Sequence, residues 1–181
     1  FELMYDETAL AENDLLAEFI EYLQSSDAQD VIAEEGYVSV VEDATAYAAP
    51  AEALTVTEIT ATGSTSVGPL MTKLAEDFAS LVKTANNQTV SVRVSGGGSG
   101  QGIEDANKGN SDIGMASKEV ADGTDITNED VTILQLCADG IAVIVNTANP
   151  ATNITLENLT KVYTDSSLNW IDIGVEFPVE E

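Results

Sequence analysis

Ser95-Gly96-Gly97-Gly98-Ser99-Gly100-Gln101-Gly102-Ile103 follows an alternating apolar run, Val90, Val92 and Val94, and leads into a helix-forming segment. Some thirty residues earlier, Gly63-Ser64-Thr65-Ser66-Val67 stands in the same relation to a strand-like run over residues 54–61. The segment after it carries Leu70, Leu74, Phe78, Leu81 and Val82 on one side of a long helix. Small, hydroxyl-rich loops at strand-to-helix junctions gather backbone N–H groups, hydroxyls and the positive end of a helix dipole. Such a place can hold an anion without a formal positive charge.

The rest of the chain makes that choice of chemistry notable, because it is strongly acidic. Its 181 residues carry 32 acidic and 6 basic side chains, a formal charge of −26, with no histidine. No basic residue precedes Lys73. Such a field repels nucleic-acid phosphates and anionic membrane surfaces, so neither is expected as a partner. The simplest reading of the acidity is a solvated, solubilising surface. At 44% hydrophobic residues the chain is globular in composition and long enough for one well-formed core. No apolar run approaches the ~20 residues needed to span a bilayer, and direct membrane insertion by this segment is not expected. The first residue is Phe1, and no signal peptide is visible, so the sequence reads as a piece of a longer protein.

The inventory removes most catalytic and metal chemistry. Without histidine and with Cys137 as the single cysteine, neither a zinc site nor a Ser-His-Asp triad can be assembled. Asp122-Gly123-Thr124-Asp125 and Asn128-Glu129-Asp130 lack the spacing of a calcium loop. Ser117 and Lys118 are neighbours in extended chain and point to opposite faces, which argues against a dyad. No enzyme, cofactor or metal is expected. Cys137, inside an apolar run, reads as a buried free thiol.

The opening residues, 1–40, read as a strand fragment and two helices, with Leu15, Leu16, Phe19, Ile20 and Leu23 as a core stripe. Ser26 with Gln29 has capping-box form, and Gly36 stands at a helix C-cap. Residues 41–53 form an acidic, alanine-rich linker. Beyond it Pro69 suits a first helical turn, and residues 86–88 a turn. A short helix is expected over residues 104–108, with residues 96–102 as loop. Strands are expected at residues 112–115, 133–136 and 140–146, and a helix capped by Asn153 or Thr155 over 155–163, ending near Asn169-Trp170. Alternating strands and helices predict an α/β fold with a mostly parallel sheet flanked by helices. Ligands of such sheets sit where the strand-to-helix loops gather, at the carboxyl ends of the strands.

Two familiar anion loops do not fit. Gly97 and Gly102 have P-loop spacing, but Ile103 stands where lysine is required. A dinucleotide fingerprint starting at Gly98 would need its third glycine at Ile103 as well. Taken alone, glycines of this kind read equally well as a flexible turn.

They come, however, in an ordered set. Thr62-Gly63-Ser64-Thr65-Ser66-Val67-Gly68-Pro69-Leu70 is followed by Gly98-Ser99-Gly100-Gln101-Gly102-Ile103 and by Asp112-Ile113-Gly114-Met115-Ala116-Ser117. Asp139-Gly140-Ile141-Ala142-Val143-Ile144-Val145-Asn146, Asn149-Pro150 and Leu156-Glu157-Asn158-Leu159 through Asn169-Trp170 complete it. Over roughly residues 57–170 this closely resembles the phosphate-binding receptors of ABC transporters, the PstS family. The resemblance implies one lobe of a two-lobed, hinge-closing receptor of periplasmic-binding-protein type, which holds dehydrated phosphate between its lobes. By motif, phosphate-binding residues would be Ser64, Thr65 and Ser66 from the first loop, Ser99 and Gly100 from the second, and Ser117 from the third. Some members carry Asp where Ser117 stands, so a hydroxyl here leaves selectivity against sulfate open. The implied partners are inorganic phosphate and the membrane permease of an ABC importer. The implied location is extracytoplasmic, at the cell surface, with a lipoprotein-like anchor on a segment outside this sequence.

Residues 1–5, 19–22 and 32–38 resemble the carboxyl-terminal end of the same kind of receptor. The chain therefore reads as three parts: residues 1–40 as the tail of a preceding receptor repeat, 41–53 as a linker, and 54–181 as a first lobe with the start of the crossover to a second. A tandem repeat cut across its boundary is the favoured arrangement; a circular permutation or a chain lacking its middle would give the same order. A rival of another class is a surface or adhesive module that keeps the fold without the transport.

Overall fold

Both glycine loops leave neighbouring strands of one sheet, at the same edge. The structure, a computed structural model, describes residues 1–149, 151 and 153–165. It divides into two units, Phe1–Gly140 and Ile141–Glu181. In the first, strand β2 (Glu58–Gly63) pairs in parallel with β3 (Ser91–Gly96), bringing Gly63 opposite Gly96. On its other side β2 pairs in parallel with β4 (Ile113–Ala116). Strand β1 (Glu2–Asp6) lies antiparallel between β4 and β5 (Val131–Gln135), giving the order β3-β2-β4-β1-β5. Only β1 runs against the others, so the α/β sheet flanked by helices that the sequence predicts is present, with two parallel and two antiparallel pairings.

β2 starts later than its apolar pattern suggests, for a local reason. The Gln88 side chain takes both the N–H and the carbonyl of Leu54, at 2.7 and 2.8 Å. The Asp14 carboxylate accepts from the N–H groups of Thr55 and Val56. Residues 54–56 thus satisfy their backbone through side chains, and the ladder begins beyond them.

Residues 1–40 hold three helices where the sequence suggests two. The Asp6 carboxylate accepts from Thr8 and Ala9 N–H and starts α1 (Glu7–Glu12). The Asn13 side chain accepts from Leu16 N–H and starts α2 (Asp14–Leu23) at once. The next helix, α3 (Ser26–Glu34), is capped by Ser25 rather than Ser26, its hydroxyl accepting from Ala28 N–H. Gln29 donates to the Leu23 carbonyl, so the expected capping box does not close. Gly36 takes up φ +88 just past the helix end, as a C-cap requires.

Alternation along the strands divides the core into two layers. Leu3, Ile59, Ala61, Ile113 and Met115 face α2, α3 and α4 (Gly68–Asn86) in one cluster. Met4 and Ala116 face α5 (Ser99–Lys108), with Ile103 and Ala106, in the other. The stripe Leu15, Leu16, Phe19, Ile20 and Leu23 is buried throughout, as its spacing predicts. Phe78 of α4 centres an aromatic cluster, with ring centroids 5.1 Å from Phe19, 5.4 Å from Tyr22 and 5.8 Å from Tyr47.

Tyr47 comes from the acidic segment 41–53, which contains no helix or strand yet is anchored. Its hydroxyl donates to Glu18 Oε2 and its N–H to Asp27 Oδ2 at 2.7 Å. Tyr22 likewise donates to Asp77 at 2.8 Å. Burial, reinforced by the carboxylate each one donates to, pushes both phenols well above their ordinary pKa.

In the second unit the strand expected over residues 140–146 does not form. Ile141 and Ile144 are 97% and 89% exposed, and no described residue pairs with this run. Apolar composition creates a demand for burial; a strand also needs a neighbouring backbone to bond. Helix α6 (Leu156–Thr164) is present, capped by Thr155. Pro150, Asn169 and Trp170 lie outside the described residues.

Truncating Phe78 to Ala should cost about 3–5 kcal/mol, the range for deleting a buried aromatic ring, read as a lower midpoint in denaturant unfolding. Cys137 is fully buried. Burial pushes its thiol up to about 11, with the N-terminal ammonium opposing and Asp139 adding. A thiol-specific reagent at pH 8 should therefore leave the native chain unmodified and label it fully in denaturant. The stability carried by the neutral thiol is complete below its ordinary pKa near 9 and is lost as pH rises toward 11.

Candidate functional site: three loop ends at the carboxyl edge of the sheet

β2, β3 and β4 run in the same direction, so the chain leaving each one emerges at a common edge. The second loop is shorter than the sequence suggests. Gly97 and Gly98 both donate their N–H groups to the Gly63 carbonyl at 2.9 Å, and Gly98 turns the chain at φ +89. Its carbonyl then accepts from Gln101 and Gly102, so α5 begins at Ser99 and residues 99–102 are helical. The N–H groups of Ser99 and Gly100 fall in the first turn, where an α-helix has no internal acceptor. They find no protein acceptor among the described residues.

Close backbone packing holds this helix end in place. A Cβ on Gly102 would lie 2.5 Å from the Met115 carbonyl oxygen and 2.9 Å from that of Thr62. One on Gly114 would meet the Gly102 oxygen at 2.3 Å, and one on Gly63 the Met115 oxygen at 2.3 Å. These three glycines let β2, β4 and α5 meet backbone to backbone.

The sequence-derived site residues divide accordingly. Ser99 Oγ accepts from the Ser117 N–H at 3.1 Å and lies 3.2 Å from Ser117 Oγ, joining the second and third loops directly. Thr65 joins the first loop to the second, its methyl so near Gly96 that a Cβ there would sit 2.9 Å away. The hydroxyls of Thr65 and Ser66 are on exposed residues and have no protein partner among the described residues. Ser64 is different. It is 2% exposed, and its Oγ accepts from the N–H groups of Ser66 and Val67 at 3.3 and 3.4 Å. It shapes the first loop from beneath. Gly100 offers its backbone N–H, in the first turn beside Ser99.

No cation is directed at this edge by the ion pairs around it. Lys118 Nζ is 3.2 Å from Asp125, whose carboxyl is held below the ordinary range by the Ala121 N–H and by that lysine. Arg93 pairs across the strands with Glu58 at 2.6 Å. No group of side chains suited to a metal ion occurs among the described residues. A cleft of about 470 Å³ at the amino-terminal edge of β4 includes Glu12, Asn110 and Asp112 but none of these hydroxyl residues. Among the described residues, the three loops and two helix starts at this edge present neutral donors. Neutral donors of this kind can hold an oxyanion.

Asp105 carries no motif that singles it out in the sequence, yet it accepts from Thr62 Oγ1 and Gln101 Nε2, each at 2.8 Å, and from Asn110 Nδ2. Burial would raise its carboxyl, but those three donors and the charge of Lys108 prevail and hold it below its ordinary value. The available signal is a charge placed on the inward face of α5, four residues after Gln101.

A PBP superfamily domain matches residues 48–180, and the chain belongs to that superfamily. Within it, the chain is similar to a phosphate-binding protein PstS 2 of Streptococcus agalactiae. The two are 32% identical over 163 residues, 90% of this chain and 52% of that protein. A Streptococcus pneumoniae PstS 2 is 28% identical over 155 residues, 84% and 49% of the two chains. The fold matches a crystal structure of a phosphate-binding protein of a phosphate ABC transporter from Streptococcus pneumoniae. The TM-score is 0.75 at 26% identity, covering 96% of this chain and 62% of that one. The chain spans about half the length of the curated relatives it matches.

Gly102→Ala places a methyl group against backbone atoms that cannot rotate away. It should cost about 1–3 kcal/mol in denaturant unfolding, the usual penalty of overpacking. It should also shift the Ser117 amide resonance, because α5 must retreat from β4.

Proposed function

We propose that this chain supplies a phosphate-holding lobe of an extracytoplasmic solute-binding protein, one that delivers inorganic phosphate to the permease of an ABC importer. The observation that carries this reading is the meeting of Ser99 and Ser117 beside the open first turn of α5. Hydroxyls and N–H groups fixed at a helix start favour an oxyanion through dipoles already pointing at it. The superfamily and the names of the relatives agree with binding rather than catalysis. No helix among the described residues is long and apolar enough to cross a membrane. An extracytoplasmic location, with attachment through another segment, is part of the proposal.

The site residues we assign are Thr65, Ser66, Ser99, Gly100 and Ser117 toward the anion, with Ser64 supporting them. We also assign residues 1–40 as a receptor-type carboxyl-terminal segment, 41–53 as its connection, and 54–181 as a first lobe entering its crossover. β1 supports this assignment by lying inside the sheet between β4 and β5.

A second oxyanion is favoured by one specific feature. The Ser99 and Ser117 hydroxyls lie 3.2 Å apart, and a hydroxyl both donates and accepts, so the pair can accept the proton of hydrogen phosphate or donate to fully ionised sulfate. Calorimetric titration of phosphate into the chain near neutral pH, with sulfate as competitor, decides between them. Heat with phosphate that sulfate does not suppress supports a phosphate receptor; competition at similar concentration indicates a general oxyanion site. No heat with either ion, in this chain and in a longer form carrying its neighbouring sequence, would favour the adhesive rival and defeat the proposal. Ser99→Ala should weaken phosphate binding by about 1.5–3 kcal/mol, as expected for a hydrogen bond to a charged group.

A further inference from the structure

Asp105 is the one charged residue buried among the described residues, 8% exposed, and the donors around its carboxylate are all neutral. We propose that Asp105 is a positioning residue for the anion site, fixing where the start of α5, with Ser99, lies against Ser117. The inference rests on the phosphate reading above.

The glycine contacts set how closely α5 approaches the sheet, and the bonds of Gly97 and Gly98 to the Gly63 carbonyl set where it begins, but neither directs the rotation of the helix about its own axis. A hydrogen bond is directional. Asp105 Oδ2 accepts from Thr62 Oγ1 at 2.8 Å, tying α5 to the carboxyl end of β2. Its other oxygen accepts from Gln101, in the first turn, and from Asn110, just past the C-cap. One carboxylate therefore links both ends of the helix to the carboxyl end of β2. Both carboxylate oxygens accept here, whereas an amide keeps one acceptor and turns the other into a donor.

The sign of the effect separates positioning from charge. Asp105 follows Ser99 by six residues, roughly 9 Å along a helix axis. That is within a Debye length of an anion held at the first turn. If its charge were all that mattered, neutralising it would tighten phosphate binding. Positioning demands the opposite.

The experiment is Asp105→Asn in the 181-residue chain, with phosphate affinity by calorimetry and the nuclear Overhauser contact between the Ser117 amide and the Ser99 β-protons. The expected result is at least a fivefold loss of affinity, with that contact falling below half its wild-type intensity in a chain that remains folded. Unchanged or tighter binding with the contact intact overturns the proposal. So does a loss of stability spread evenly over the sheet that leaves the contact in place. If the wild-type chain gives no heat with phosphate, the phosphate reading loses its support, while the Ser99–Ser117 contact still decides the positioning role. If Asp105→Asn does not fold, Thr62→Val removes the β2 donor and retains the charge. A weakened contact then supports the proposal, and an unchanged one overturns it.

Discussion

Everything at the carboxyl edge of the sheet depends on one steric constraint: β2, α5 and β4 touch through backbone alone at Gly63, Gly102 and Gly114. A Cβ at any of the three would sit 2.3–2.5 Å from a carbonyl oxygen, so no side chain fits. Backbone contact lets the first turn of α5 stand beside the end of β4, so that Ser99 reaches Ser117. The Gly63 carbonyl contributes from the same place, since its bonds to Gly97 and Gly98 decide where α5 begins. The glycine-rich loop is thus bonded to the end of β2, and its glycines serve close approach.

The electrostatics follow from the same arrangement. A chain of net charge −26 is an unpromising receptor for an anion if charge is counted globally. Its field is screened beyond roughly 8–10 Å at physiological salt, while N–H groups and hydroxyls act at hydrogen-bond distance. The cations nearest in sequence to the second and third loops are occupied, Arg93 by Glu58 and Lys118 by Asp125. Oriented dipoles are what remains. The one buried charge among the described residues, on Asp105, is negative, and it is kept ionised by neutral donors that also orient the helix presenting those dipoles.

Much of the fold is legible from residue order. The helical spacing of Leu15, Leu16, Phe19, Ile20 and Leu23 and the alternation of Val90, Val92 and Val94 place α2 and β3, because periodicity reports which face is buried. The differences have separate causes. β2 starts late because Gln88 and Asp14, remote in sequence, take the backbone groups of residues 54–56. The apolar run at 141–145 reads as a strand on composition alone, although pairing depends on a neighbour that composition does not reveal. Tyr47 reads as part of an inert linker, and its docking on Phe78 exists only once the helices are assembled.

For the site, the sequence by itself determined which groups are on offer: hydroxyls and glycines at strand-to-helix junctions, and no histidine. The order of the motifs also carried the resemblance to phosphate receptors. Tertiary structure alone decided which hydroxyls share the edge. It turned Ser64 inward as a support for its own loop, left Thr65 and Ser66 exposed, and joined Ser99 to Ser117 across eighteen residues. The reason is physical. Residue type and local spacing specify which groups a loop can offer, whereas the direction each group faces is set by strand order and by contacts between segments far apart in the chain.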